Sequence, residues 1–114
     1  MGYTINYLEG VQVVEVVFTG RMNFKIAEQY SKEAIKIARE NNCHNFLIDH
    51  TKTKSNVNIH STGEELQQFG FDITDRIAIV FKHGRSSDLV SQNSRWCESK
   101  YFGNASKAVN WLTT

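Results

Sequence analysis

Several basic residues of this chain come directly after apolar segments, where the ends of predicted strands would expose them. They are, in chain order, Arg21, Lys52, Lys54, Lys82 and Arg85. One acid, Asp49, lies among them, although the whole chain has a net charge of only +1. Two predicted helices begin in the same segments, at Ser61 and Ser86, and helix amino termini attract anions. Such a set could bind a phosphate, a nucleotide or an acidic protein.

Solvation of these side chains on loops is the simpler interpretation, and both interpretations stay open. If the surface binds something, the residues that we expect to line it are called the predicted rim below. They are Arg21, Asp49, His50, His60, Lys82, Arg85 and Ser86.

No motif for metal binding or catalysis accompanies the predicted rim. His50 and His60 flank a loop beside Asp49, but the chain has no Cys-x-x-Cys, His-x-x-x-His or His-Glu-x-x-His. Gly-x-Ser-x-Gly is also absent, and the glycines are scattered singly, so no phosphate-binding loop is indicated. We therefore expect no metal, no cofactor and no enzyme activity. A hydrolase that uses Asp49 and His50 is kept as a third hypothesis.

The segment Ser61-Thr62-Gly63-Glu64 has the spacing of a capping box. In that motif the Ser61 hydroxyl accepts a hydrogen bond from the Glu64 amide, and the Glu64 carboxylate accepts one from the Ser61 amide. A cap of this kind stabilises a helix start and requires no further function.

The elements that would position these residues indicate an α/β fold. Tyr3 to Leu8 and Val11 to Thr19 flank Glu9-Gly10, which predicts an antiparallel hairpin. Apolar runs at Phe46-Leu47-Ile48 and at Ile77 to Phe81 are typical of buried parallel strands. A short edge strand is predicted at Tyr101-Phe102-Gly103.

Helices are predicted from Asn23 to about Asn41, from Ser61, from Ser86 to Cys97, and from Asn104. Strand and helix alternate after the hairpin, which predicts one mixed sheet of four or five strands, mostly parallel, with about four helices.

Apolar spacing predicts which faces of these elements are buried. Both faces of the second strand are mostly apolar, which favours an inner strand. The first helix has an apolar stripe at Ala27, Tyr30, Ala34, Ile37 and Ala38, and its other face, which includes Arg39, is expected to be solvated. The third helix would present Leu89, Asn93, Trp96 and Cys97 on one side.

Composition limits the class of protein. The chain has 114 residues and no proline, which is enough for one domain with one core. Two cysteines do not make a disulfide framework, and no leader precedes the first strand, so we expect a cytoplasmic protein without a transmembrane segment. The net charge of +1 gives no indication of nucleic acid binding.

The order of elements and several short sequences resemble the STAS-like domains, relatives of the bacterial anti-sigma-factor antagonists. The resemblance covers nearly the whole chain and is closest to the small stand-alone bacterial members. It rests on the strand ending Leu47-Ile48-Asp49, the Ser/Thr-Gly helix start, the Ile77 to Phe81 strand and the ending Ala108-Val109-Asn110-Trp111-Leu112.

In the antagonists, the corresponding helix begins Asp-Ser-Ser-Gly, and a partner kinase phosphorylates the second serine. The resemblance therefore implies that Thr62 is the phospho-acceptor, with Ser61 beside it. His60 replaces the family's aspartate, and Glu64-Glu65 replaces apolar residues.

The sequence thus predicts a non-enzymatic regulatory or scaffolding module that binds another protein, either kinase-like or regulatory. The expected contact surface is the start of the second helix, Ser61 to Glu65, with the loop from His50 before it. The alternative is a binder of a small anionic or lipid-like molecule at the predicted rim. Some STAS-like members resemble lipid-binding CRAL-TRIO domains, which is the basis of the lipid-like option. A homodimer is compatible with both.

Overall fold

The computed structural model describes residues 3–20, 24–53, 69–80, 92–93 and 98–113. These residues form one mixed sheet with helices on its two faces. The elements are β1 (Tyr3–Leu8), β2 (Val13–Gly20), α1 (Phe24–Glu40), β3 (Asn45–Thr53), β4 (Arg76–Val80), β5 (Gln92–Asn93), β6 (Glu98–Phe102) and α2 (Ala105–Leu112).

The strand order in the sheet is β1-β2-β3-β4-β6-β5. β1 is antiparallel to β2, whereas β2, β3, β4 and β6 run parallel to one another. The two-residue β5 pairs antiparallel with β6. The predicted α/β class, the antiparallel edge hairpin and the parallel remainder are confirmed, and the sheet gains one very short strand beyond the predicted four or five.

The helices agree with the sequence only in part. The described residues contain two complete helices, α1 and α2. About four helices were predicted for the whole chain. The start of the helix predicted from Ser61 lies outside the described residues, as does Asn23. The helix predicted from Ser86 to Cys97 is wrong at Gln92 and Asn93, because these residues pair with Ser99 and Glu98 as a strand.

Apolar side chains from the sheet form two cores, one on each face. Under α1 lie Val14, Val16, Phe18, Phe46, Ile48, Ile77 and Ile79, together with the buried helix residues Tyr30, Ala34 and Ala38. On the opposite face, Val13, Leu47, Ala78 and Val80 pack with Ala108 and Leu112 of α2. Burial of each large apolar side chain stabilises the fold by roughly 1.5 to 3 kcal/mol. The prediction that β2 is an inner strand covered on both faces is confirmed.

Local signals explain where the helices end and begin. Asn42 has a φ of 54°, a left-handed conformation that asparagine tolerates, and the Cys43 N–H returns to the Ala38 carbonyl at 2.8 Å to close α1. Asn104 caps α2 as predicted, because its side-chain oxygen accepts from the Lys107 N–H at 2.9 Å.

The half-buried Trp111 packs α2 against β4 and β6. The Arg76 guanidinium lies 4.2 Å from the centre of the Trp111 ring, and the Phe102 ring lies 5.7 Å from it, centre to centre. The tryptophan of the Ala-x-x-Trp-Leu ending therefore contacts both β4 and β6. Trp96 and Cys97 lie outside the described residues.

Neither of the two helices in the described part of the chain is long and apolar enough to cross a bilayer.

Candidate functional site

The carboxyl ends of β2, β3 and β4 lie side by side at one edge of the sheet, called the carboxyl edge below. Gly20 at the end of β2 is paired with Thr53 at the end of β3, and Val80 at the end of β4 is paired with Asp49. The three chain segments that carry the predicted rim therefore leave the sheet from neighbouring strands. Most of their side chains lie outside the described residues, namely Arg21, Lys54, His60, Ser61, Thr62, Lys82, Arg85 and Ser86.

Asp49 is described at this edge, and its carboxylate bonds within its own strand. Its Oδ1 accepts from the Thr51 N–H at 2.8 Å and from the Thr51 hydroxyl at 2.6 Å. The register between β2 and β3 shifts here, because Val17 pairs with Asp49 but Thr19 pairs with Lys52. One extra residue of β3 is thus accommodated as a β-bulge, and the Asp49 side chain stabilises the bulged backbone.

His50 is the second rim residue in the described part of the chain, and it is buried rather than presented to solvent. Only 4% of its surface is exposed, and its ring packs against the Phe18 ring with centres 6.0 Å apart. Burial lowers the pKa of His50 to about 4, and the nearby Asp49 charge opposes this shift only in part. His50 is therefore a neutral side chain at pH 7, below the surface that was predicted to bind a partner.

A second polar cluster occupies the opposite edge, at the amino ends of β3 and β4. Asp75 lies at its centre and is fully buried. Asp75 Oδ1 accepts from Arg39 Nη1 at 3.1 Å and lies 3.0 Å from His44 Nδ1. Its Oδ2 accepts from Arg39 Nη2 at 2.7 Å and from the Asp72 N–H at 2.8 Å. Each carboxylate oxygen thus has two partners, and the hydrogen bond to Asp75 raises the pKa of Arg39.

Thr74 extends this cluster toward solvent. Asp72 Oδ1 accepts from the Thr74 N–H at 2.8 Å and also from the Thr74 hydroxyl, an Asx turn that lowers the pKa of Asp72. The Thr74 hydroxyl lies 2.9 Å from His44 Nδ1. The turn before β4 is therefore held by its own side chains as well as by Asp75.

The residue types Thr74, His44 and Asp75 are those of a catalytic triad, but their geometry is different. In a triad the hydroxyl and the carboxylate bond opposite nitrogens of the imidazole: one nitrogen accepts the proton of the hydroxyl, while the carboxylate orients the ring through the N–H of the other. Here both approach the same atom, Nδ1. The arrangement can orient the His44 ring, but it does not link the hydroxyl to the carboxylate through the imidazole.

Three possible metal ligands also meet at this edge. Ligand atoms of His44, Asp72 and Asp75 lie within 4.8 Å of one another. However, both oxygens of Asp75 already bind the Arg39 guanidinium, which neutralises the carboxylate. A cation would have to displace that guanidinium, so the chemistry of the cluster favours a structural role.

The sequence patterns did not predict this cluster. Arg39 was assigned to the solvated face of the first helix, and Asp75 was not among the candidate site residues. The available signal was the pair Asp72 and Asp75 around Thr74, immediately before a strand that is otherwise apolar. Nothing local in the sequence connects it with an arginine 36 positions earlier.

A shallow groove lies on the α2 face of the sheet, away from both clusters. Its volume is about 610 Å³, and it runs between the start of α2 and the first strands. Leu8, Leu47 and Val109 provide apolar walls, and Glu15 and Lys107 add one charge of each sign.

Comparison with protein-family models, with curated proteins and with solved structures finds no match to this chain. The STAS-like resemblance accordingly stays a prediction from the residue pattern and the order of elements.

We predict that replacing Asp75 with alanine lowers the free energy of unfolding by about 2 to 3 kcal/mol, because it removes four interactions of a fully buried carboxylate, two of them with a guanidinium. Urea denaturation at pH 7 measures the change. The matched control is Lys32→Ala, whose ion pair with Glu28 is exposed and should contribute less than about 0.5 kcal/mol. Equal effects of the two substitutions would show that the Asp75 cluster does not hold the fold together.

We also predict that the stability of the protein decreases as the pH falls from about 6.5 to about 4. His50 binds its proton less readily in the folded state than in the unfolded state, so its contribution is complete above the unfolded pKa and is lost below it. The expected loss is about 3 kcal/mol, and urea denaturation across this range measures it. In the His50→Gln variant, this contribution to the pH dependence of stability should be absent. An unchanged pH dependence in this variant would contradict the assignment.

Proposed function

We propose that this chain is a STAS-like, non-enzymatic regulatory or scaffolding module of the cytoplasm, and that it binds another protein at the carboxyl edge. The observation that carries the proposal is the parallel register of β2, β3 and β4, whose carboxyl ends are neighbours. Ligand and partner sites in open α/β sheets are commonly found at such an edge, because the loops after several strands converge there.

The charge of the connecting segments favours an acidic partner surface. The segments that leave this edge contribute Arg21, Lys54, Lys82 and Arg85 to a chain with a net charge of +1, and Lys52 is exposed near the end of β3. Opposite charge steers association and helps select the partner. The other members of this set lie outside the described residues.

The two described rim residues support interaction in preference to catalysis. The Asp49 carboxylate is bonded to Thr51, and His50 is buried against Phe18 with its pKa lowered to about 4. A general base needs a pKa near the working pH and access to its substrate. The hydrolase hypothesis that relied on these two residues has no support from their positions.

The resemblance to the anti-sigma-factor antagonists adds a switch to the proposal. Phosphorylation of Thr62 would place about −1.5 to −2 charges among the cations of the predicted rim, which changes the attraction for an acidic partner. The partner would then be a kinase-like protein or a regulator that distinguishes the two charge states. Thr62 lies outside the described residues, so this step rests on the sequence.

We predict that a serine/threonine kinase from the same genome adds one phosphate to the purified protein, and that Thr62→Ala abolishes the addition. Intact-mass spectrometry measures the stoichiometry. Ser61→Ala tests the neighbouring hydroxyl, and Thr74→Ala is the control at the opposite edge. Phosphate retained in Thr62→Ala, or absent from the wild-type protein with every kinase tested, would refute the switch.

Binding of a small lipid-like molecule is a second candidate function, and the groove of about 610 Å³ favours it. Small-molecule sites commonly have volumes of this order and combine apolar walls with a few polar groups. The groove lies on the α2 face, so it differs in place from the predicted rim.

If a fatty acid such as laurate binds, we expect it to raise the melting temperature of the protein. The free energy of unfolding should increase by about 2.7 kcal/mol when the ligand is present at about 100 times its dissociation constant. Loss of the shift in Ser106→Trp would place the ligand in the groove, whereas loss in Arg85→Ala would place it at the predicted rim. A melting temperature that laurate leaves unchanged would contradict this second candidate.

A further inference from the structure

β1 forms one edge of the sheet and has an unbroken backbone. Among the described residues it pairs with β2 and with no other strand, in a continuous register from Tyr3 opposite Phe18 to Leu8 opposite Val13. In an antiparallel pair, alternate residues direct both their N–H and C=O groups away from the partner strand. β1 therefore presents a row of hydrogen-bonding groups along its outer side.

The sequence of β1 lacks the features that usually protect such an edge. Sheet edges are commonly blocked by lysine, proline, a bulge or an inward-pointing charge. β1 reads Tyr-Thr-Ile-Asn-Tyr-Leu, with no charged residue and no proline, and its register with β2 contains no bulge. The register irregularity of this sheet lies on the other side of β2, between β2 and β3. The edge is thus available for pairing with another strand.

The side chains of β1 are already ordered in the single chain. The Tyr3 hydroxyl donates a hydrogen bond to the Glu33 carboxylate on α1, and the Tyr3 ring packs edge-on against Tyr30 with centres 5.8 Å apart. Ile5 and Tyr7 are partly buried and pack against the same core. Because these residues lose little further freedom when a strand is added, the entropic cost of pairing is reduced.

We propose that β1 pairs antiparallel with β1 of a second copy of this chain, so that one continuous sheet passes through both molecules. A two-fold axis perpendicular to the sheet keeps the α1 face of both copies on the same side. Residues of the same face then lie opposite each other. Of the registers that satisfy this condition, two pair the most residues of β1, one with Ile5 opposite Ile5 and the other with Asn6 opposite Asn6.

The residues of β1 suit self-pairing in both registers. With Ile5 on the axis, Tyr3 lies opposite Tyr7, and Thr4 lies opposite Asn6. With Asn6 on the axis, Ile5 lies opposite Tyr7. Aromatic and branched side chains are favourable cross-strand neighbours, and Thr4 and Asn6 are exposed polar residues that can bond across the pair. Two identical strands carry identical charges, so the absence of any charge on β1 removes the repulsion that would otherwise oppose a homodimer.

The interface is small, since five of the six β1 residues of each copy lie opposite one another in either register. Interfaces below the standard size associate weakly, and we expect a dissociation constant on the order of micromolar. Sedimentation equilibrium of the full chain, from about 1 μM to about 1 mM, covers this range. Hydrogen exchange in the same series should show that the amides of β1 become protected as the concentration rises.

Charge variants on the exposed side of β1 test the pairing directly. Thr4→Lys/Asn6→Lys places like charges opposite each other across the axis, and we expect the dissociation constant to increase by about tenfold or more. Thr4→Glu/Asn6→Glu should have the same effect alone, and an equimolar mixture of the two variants should restore dimers. Ile73→Lys, at an exposed position of the turn before β4, is the control and should leave the dissociation constant unchanged. Circular dichroism checks that each variant is folded.

Three results together would support the proposal. The wild-type protein forms dimers as its concentration rises, the lysine variant does not, and protection from hydrogen exchange is confined to the amides of β1. The lysine variant alone is sufficient if glutamate opposite Glu15 impairs folding of the other variant. A wild-type protein that stays monomeric at about 1 mM, dimers that tolerate the lysine variant, or assembly into open-ended oligomers would overturn it.

Discussion

The buried carboxylate of Asp75 is the interaction on which the arrangement of the sheet depends. It joins the last turn of α1, through Arg39, to the connection before β3, through His44, and to the turn before β4. The backbone continues the connection, because the Arg76 N–H donates to the His44 carbonyl at 2.8 Å and the Glu98 N–H to the Asp75 carbonyl at 3.3 Å. One side chain and its neighbours thus align the amino ends of β3, β4 and β6. Since these strands are parallel, alignment at one edge also determines which strand ends are neighbours at the other.

The two edges use polar residues in opposite ways. At the amino edge, the buried Asp75 carboxylate is paired with the partly exposed Arg39 guanidinium, and each of its oxygens already has two partners, which leaves little for a ligand to bind. At the carboxyl edge, a neutral histidine lies in the core on the same face as Phe46 and Ile48, and the Asp49 carboxylate bonds to Thr51 beside the bulge of β3. The fold is therefore stabilised at one edge, and the segments whose sequence suggests binding start at the other.

Local patterns predicted the parts of the structure that depend on near neighbours. Alternation predicted the hairpin and the doubly covered β2, helical spacing predicted the buried stripe of α1, and Asn104 was correctly taken as a cap. The failures have two different causes. Asn93 fits a helical pattern but pairs with Glu98 as a strand, and Arg39 resembles a solvated helix residue until the fold brings Asp75 beside it, so the local pattern specified neither contact. His50 follows Phe46 and Ile48 at alternate positions of β3, so strand alternation places it on the same buried face, a signal that the polar residue type obscured. Of the candidate site, the meeting of the strand ends was predicted, and the burial of its histidine could have been.

The proposed partner surface lies at the ends of strands, and the proposed dimer contact lies along an edge strand of the same sheet. β1 is a lateral edge, whereas the partner surface lies at the ends of β2, β3 and β4, so one contact does not cover the other. A two-fold axis perpendicular to the sheet also reverses the direction of the strands in the second copy. The carboxyl edges of the two molecules would consequently face opposite directions, and a partner bound at one would not obstruct the other. Such a dimer holds two partners apart at fixed positions, which is the geometry of a scaffold, whereas a single copy could only sequester one partner. The regulatory and scaffolding forms of the proposed function therefore differ in a physical quantity, the fraction of chains that are paired through β1 at their working concentration.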